Sequence, residues 1–146
     1  MIPTLYTIGY EAHPHPRSLV QALRAARVEL VVDVRELPMS RRFGFSKTRL
    51  AETLTRAGLE YEHHRELGNP KPFRDLYRNG RQDEGEARYR AFLSNGSEAA
   101  VDQLAELLDT RRVCVLCFEA DPATCHRAVI VDELSRRLPR LRVEHL

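Results

Sequence analysis

Apolar positions along this chain alternate between two patterns: short unbroken runs, and longer stretches in which they recur every three or four residues. Leu5-Tyr6-Thr7-Ile8 is such a run, closed by Gly9, and predicts a first strand. Pro16 suits the first turn of a helix, where its missing N–H costs nothing, and Leu19, Val20, Leu23 and Ala26 follow at helical spacing. Leu30-Val31-Val32-Asp33-Val34 is apolar on both faces, as a covered parallel strand is. Ser46 offers a side-chain cap for a second helix, with Leu50, Leu54 and Ala57 on its inner face and Gly58 as its stop.

Leu59 to His63 reads as a short third strand. Residues 68–85 hold Pro70, Pro72, Gly80 and Gly85 and read as a long surface excursion with one helical turn. From Ser97 a helix carries Ala100, Val101, Leu104, Leu107 and Leu108 inward. Val113 to Phe118 is the most strand-like run of the chain. A helix from about Thr124 to Leu138 buries Ala128, Ile130, Val131 and Leu134, and Pro139 ends it. Leu141 to His145 alternates as an edge strand does. The alternation predicts an α/β fold: a single three-layer domain over residues 1–146, with a mostly parallel sheet of about five strands and helices on both faces.

Composition narrows the class. Hydrophobic residues make up 42% of the 146 and charged residues 30%, the usage of a folded globular chain rather than a disordered one. No apolar run approaches the ~20 residues of a membrane helix, so no membrane is expected as partner. Met1-Ile2-Pro3-Thr4 lacks the basic-then-apolar pattern of a signal peptide, and three cysteines make a poor disulfide framework. A reducing, cytoplasmic setting is the expectation. The net charge is only +2, but 21 of the 23 basic residues are arginine, whose planar fork matches phosphate and carboxylate. A codon bias toward arginine accounts for scattered ones; only clustered ones argue for binding.

The chemistry-bearing residues cluster after the strands. In open parallel sheets ligands bind beyond the carboxyl ends, so these positions belong together. Gly9, Tyr10 and Glu11 follow the first strand. Asp33, Arg35, Pro38, Ser40 and Arg41 follow the second, and Glu119, Asp121, Cys125, His126 and Arg127 follow the fourth. Arg35, Arg41 and Arg127 point to an anion, with Ser40 and Tyr10 positioning it. Glu119 is a candidate base or nucleophile, and otherwise a partner that orients Arg35 or Arg127. His126 reads as an acid or base, or as a ring bonded to a backbone carbonyl. Glu11 and Asp33 read as structural polar groups. Ser40 to Lys47 interleaves bases with Phe43 and Phe45, as surfaces that track a nucleic-acid backbone do; the alternative is a loop with its aromatics folded inward. His63-His64 is placed at the surface.

Cys114 and Cys117 form C-x-x-C with Cys125-His126 close behind, which invites a metal reading. Residues three apart in a strand point to opposite faces, and structural zinc pairs sit on turns, so no metal is assigned. Cys114 reads as a core residue. Cys117, at the strand end, is taken as the candidate reactive thiol, and Cys125 as a polar structural one. Both stay open between inert packing and reactivity, since the dipole of the following helix and Arg127 act on Cys125. No Walker loop or G-x-G-x-x-G occurs, and no cofactor is expected.

Thr7-Ile8-Gly9-Tyr10-Glu11, Asp33-Val34-Arg35 with Pro38 and Ser40-Arg41, and Leu116-Cys117-Phe118-Glu119 with Cys125-His126-Arg127 occur in one order and spacing. Together they resemble the domain-of-unknown-function family numbered 488, across nearly the whole chain. The resemblance implies a compact prokaryotic α/β domain and assigns no reaction. Three functional classes follow from the residues. The first is an enzyme acting on a phosphate-bearing small molecule such as a nucleotide or a nucleic-acid end. The others are a non-catalytic nucleic-acid-binding module using the same arginines, and a thiol-dependent redox or stress protein using Cys117 or Cys125. A homo-oligomer is compatible with each.

Overall fold

Five strands form one sheet in which every pairing is parallel, in the order β3-β2-β4-β1-β5. The strands are β1 (Thr4–Gly9), β2 (Leu30–Asp33), β3 (Glu60–His63), β4 (Val113–Cys117) and β5 (Arg142–His145). Six helices accompany them: α1 (Pro16–Ala25), α2 (Lys47–Arg56), α3 (Lys71–Arg78), α4 (Gln82–Ser94), α5 (Glu98–Thr110) and α6 (Arg127–Arg137). This computed structural model describes residues 2–146.

Period-two alternation divides the sheet's side chains between two apolar layers. Val32, Val113, Val115 and Cys117 pack with α4, α5 and α6 through Tyr89, Leu104, Val129 and Ile130. Val31, Ile8, Cys114 and Leu116 pack with α1 and α2 through Leu19, Leu23, Leu50 and Leu54. The result is the three-layer α/β sandwich that the pattern predicts, with Cys114 and Cys117 on opposite faces. No helix among the described residues is long and apolar enough to cross a membrane.

Several local expectations are corrected. Residues 68–85 are not an irregular excursion but the α3–α4 helical hairpin. Gly85 permits its close packing, because a Cβ there would lie 2.8 Å from the Tyr77 ring. The last major helix starts at Arg127, and the preceding Pro122–Thr124 forms a separate 3-10 turn. Val129, not Ala128, lies in the core on its first turn. Ser46 sits at the start of α2, but its hydroxyl accepts from the Ser40 amide at 2.9 Å and donates to the Ser40 carbonyl instead of capping the helix. His64 is buried rather than at the surface, because its Nε2 meets Glu62 at 2.8 Å.

This topology positions a site. The helices after β1 and β2 lie on one face and the helix after β4 on the other, so the loops diverge beside β4 and leave a crevice at the carboxyl ends. Two glycines let its walls close up. A Cβ on Gly9 would fall 1.7 Å from the Glu119 carbonyl oxygen, and one on Gly68 would fall 2.4 Å from Glu36 Cα.

Candidate active site

The crevice is a cavity of about 760 Å³. Its walls come from the segment after β2, from the β4–α6 loop and from α3.

The β2 end is a buried ion pair. Arg35 donates to Asp33 through Nε at 2.9 Å and Nη2 at 2.7 Å, and to the Phe45 carbonyl through Nη1 at 2.7 Å. The Tyr61 hydroxyl and the Arg35 amide complete the Asp33 carboxylate. Burial opposes the charge on Arg35, but Asp33 outweighs it and raises the guanidinium pKa further. Tyr10 stacks on Phe45 with centroids 4.7 Å apart and lies 5.3 Å beneath the Arg35 guanidinium. Arg35 therefore lines the cavity with its fork already filled.

The β4–α6 loop forms a second cluster. The 3-10 turn folds the chain back so that Cys117 Sγ and Cys125 Sγ stand 2.7 Å apart, though seven residues lie between them. His126 donates from Nε2 to the Val34 carbonyl at 2.8 Å, which leaves Nδ1 facing Cys125 Sγ at 3.5 Å. Tyr89 packs edge-on against the imidazole and is itself fixed by donating to the Leu67 carbonyl. The first backbone N–H of α6, from Arg127, reaches Cys125 Sγ at 3.5 Å. Cys117 donates toward Glu119 Oε2 at 3.5 Å.

These contacts split the thiols. Burial pushes the Cys117 thiol well above its ordinary range, and the neighbouring Cys125 sulfur adds to the shift. Burial would raise Cys125 as well, but the Cys117 hydrogen bond, the His126 ring and Arg127 outweigh it and hold Cys125 well below the ordinary range. Burial would lower His126, but the neighbouring Cys125 sulfur and the Val34 carbonyl outweigh it and raise the imidazole above its ordinary range. Burial raises Glu119, and Cys125 reinforces the effect. The thiolate-stabilising groups thus surround Cys125 and not Cys117.

Arg127 also departs from expectation. It is buried at 1% exposure, does not line the cavity, and spends its guanidinium on the Thr7 hydroxyl and the Glu119 carbonyl. Its buried Nε has no hydrogen-bond partner among the described residues. Glu11 staples the rim, its Oε1 accepting from the Ala120 amide at 2.9 Å. Ser40 lines the mouth, with its hydroxyl taking the Arg42 amide. Phe45 is buried while Phe43 is exposed and stacked under Arg49, outside this cavity. Sequence reasoning missed the α3 wall of Arg74, Tyr77 and Arg78 and the preceding Asn69, because it read that segment as an irregular excursion.

Cys117, Glu119 and Cys125 offer donor atoms within 4.8 Å of one another. A tetrahedral zinc with bonds of about 2.3 Å holds its sulfurs about 3.7 Å apart. The two sulfurs here stand 2.7 Å apart, closer than ligation of one zinc holds them.

Fold and site together define a parallel α/β domain with a buried cysteine pair beside a cavity at the carboxyl end of its sheet. The chain belongs to the family described as Domain of unknown function DUF488, whose model matches residues 15–134. That span includes Asp33, Arg35, both site cysteines and His126, and leaves Tyr10 and Glu11 outside. No curated protein and no solved structure matches the chain.

Proposed function

We propose that the protein is a thiol–disulfide exchange enzyme in which Cys125 is the nucleophile and Cys117 the resolving thiol. The observation that carries this reading is the pair of sulfurs 2.7 Å apart, one of them facing His126 Nδ1 and the N-terminus of α6.

The Cys125 thiolate attacks one sulfur of a disulfide R–S–S–R, forming Cys125–S–S–R and releasing R–S⁻. Cys117 gives up its proton, with the Glu119 carboxylate positioned to take it. It then attacks Cys125 Sγ, forming the Cys117–Cys125 disulfide and releasing the second R–S⁻. Each released thiolate takes up a proton, and two electrons pass from the protein to the disulfide. A phosphoryl-transfer reading with Cys125 fits less well. Among the described residues the only backbone amide reaching its sulfur is that of Arg127, where a transferring phosphoryl group needs a cradle of donors.

The test is the pH dependence of iodoacetamide labelling, resolved by peptide mass spectrometry. Cys125 should label at a pH well below that of an ordinary thiol near 8.5, and stop as pH falls through its lowered pKa. His126→Gln should move that midpoint back up, and Cys125→Ser should abolish disulfide reduction while leaving the fold intact. Labelling of Cys125 only at high pH would sink the proposal.

A further inference from the structure

The arginines around the cavity are not equivalent. Arg35 is held by Asp33, and Arg74 by Glu36 at 2.6 Å and by the Asn69 carbonyl at 2.7 Å. Arg42 donates to the carbonyls of Tyr10, Glu11 and His13, so its position is fixed while its charge meets no carboxylate. Arg41 and Arg78 are exposed at the rim and make no salt bridge or side-chain hydrogen bond among the described residues. Once Arg35 and Arg74 are paired off, three positive charges face the cavity without a carboxylate partner. The carboxyl group left there, Glu119, faces the Cys117 thiol at 3.5 Å and forms no salt bridge with any of the three among the described residues.

Two further groups on the α3 side are incomplete. Asn69 is only 4% exposed and its Oδ1 has no hydrogen-bond partner; the buried Tyr77 hydroxyl has none either. Both line the cavity. A buried polar atom without a partner costs on the order of 1–3 kcal/mol, so such a pair marks where a ligand supplies the missing bonds. Asn69 Oδ1 accepts and Tyr77 O–H donates, the complement of an amide's N–H and C=O.

Resting on the proposed exchange chemistry, we infer that the substrate is a low-molecular-weight disulfide whose arms carry carboxylates and an amide, an acidic peptide-like disulfide. Arg41 and Arg78 take its carboxylates, Asn69 and Tyr77 take its amide, and the sulfur–sulfur bond is delivered to Cys125. The cavity volume falls in the range of small-molecule sites.

The test is single-turnover oxidation of the reduced protein by four disulfides. They are oxidised glutathione (acidic, with amides), 3,3′-dithiodipropionate (acidic, no amide), bis(2-hydroxyethyl) disulfide (neutral) and cystamine (cationic). Loss of two hydrogens is followed by mass spectrometry, and each rate is divided by that of free dithiothreitol with the same disulfide. Oxidised glutathione should be fastest, dithiodipropionate next, and cystamine slowest. Arg41→Gln with Arg78→Gln should cut the two acidic rates on the order of tenfold relative to the neutral one. Tyr77→Phe should slow oxidised glutathione alone. Normalised rates that are equal across the four disulfides, or unchanged in the arginine variant, overturn the substrate class while the exchange reading stands. Oxidation by none of them, or oxidation that survives Cys125→Ser, overturns both.

Discussion

Two buried polar clusters stand side by side at the carboxyl end of the sheet, one after β2 and one after β4. In the first, Asp33 meets Arg35, Tyr61 and a backbone amide, and Arg35 finds Phe45 as well, so each charge has its partners within the protein. In the second, two thiols, an imidazole and a carboxyl group lie within reach of one another with no full complement of charge. Satisfaction makes the first cluster a strut. Incompleteness makes the second the place where the proposed exchange would move protons and electrons, since perturbed ionisable groups gather at reactive sites. They share one residue, Val34, whose neighbours build the strut while its carbonyl orients His126.

Breaking the strut should give the largest effect. Asp33→Asn leaves a buried guanidinium without its carboxylate and should cost about 3–5 kcal/mol, read as a lowered denaturation midpoint. At permissive temperature the Cys125 labelling midpoint should stay where it was, because the Val34 amide remains held by the Leu116 carbonyl at 3.0 Å. A shifted midpoint would show that the two clusters act as one.

A smaller, more local effect is expected at the wall between β1 and the β4–α6 loop. Gly9→Ala drives a methyl into the Glu119 carbonyl and should cost roughly 1–3 kcal/mol by overpacking. It should also slow disulfide reduction, since the loop carrying both cysteines must shift. Unchanged kinetics would separate the loop's position from its chemistry.

The smallest effect concerns Glu119. Its folded pKa is raised, chiefly by burial, so the stability linked to its neutral form is full below the ordinary glutamate range and is lost as pH rises through the raised value. Glu119→Gln removes that loss. Its melting temperature should slightly exceed the parent's at neutral pH and converge with it in acid. A strongly destabilised Glu119→Gln would mean that the carboxylate belongs to a strut like Asp33, although no salt bridge joins it to an arginine among the described residues.

Much of the fold was legible because its signals are local. Val113 to Cys117 is apolar on both faces, and a strand buried between two helical layers requires that. Residues 68–85 misled because Pro70, Pro72 and Gly80 are turn signals in isolation. Pro72 in fact lies in the first turn of α3, where proline is tolerated, and Gly85 makes room for Tyr77 between two helices. Much of the cavity lining was legible too, because it follows from which residues end the strands. Tyr10, Arg35, Ser40, Arg41, Cys117, Glu119, Cys125 and His126 all line the cavity.

What the sequence determined by itself was periodicity: which runs pair as strands, which faces are apolar, and hence that the strand ends share one rim. What only the tertiary structure decided was partnership. Arg35, Arg41, Arg42 and Arg127 are chemically identical along the chain, yet one is neutralised by Asp33, one is free, one is fixed by three carbonyls and one is buried behind Thr7. Likewise Cys125 differs from Cys117 through a helix N-terminus and a histidine ring whose orientation is set by Val34, 92 residues away in the chain. Burial and hydrogen bonding act over a few ångströms of space, and that proximity is created by the closing of the sheet rather than by sequence spacing.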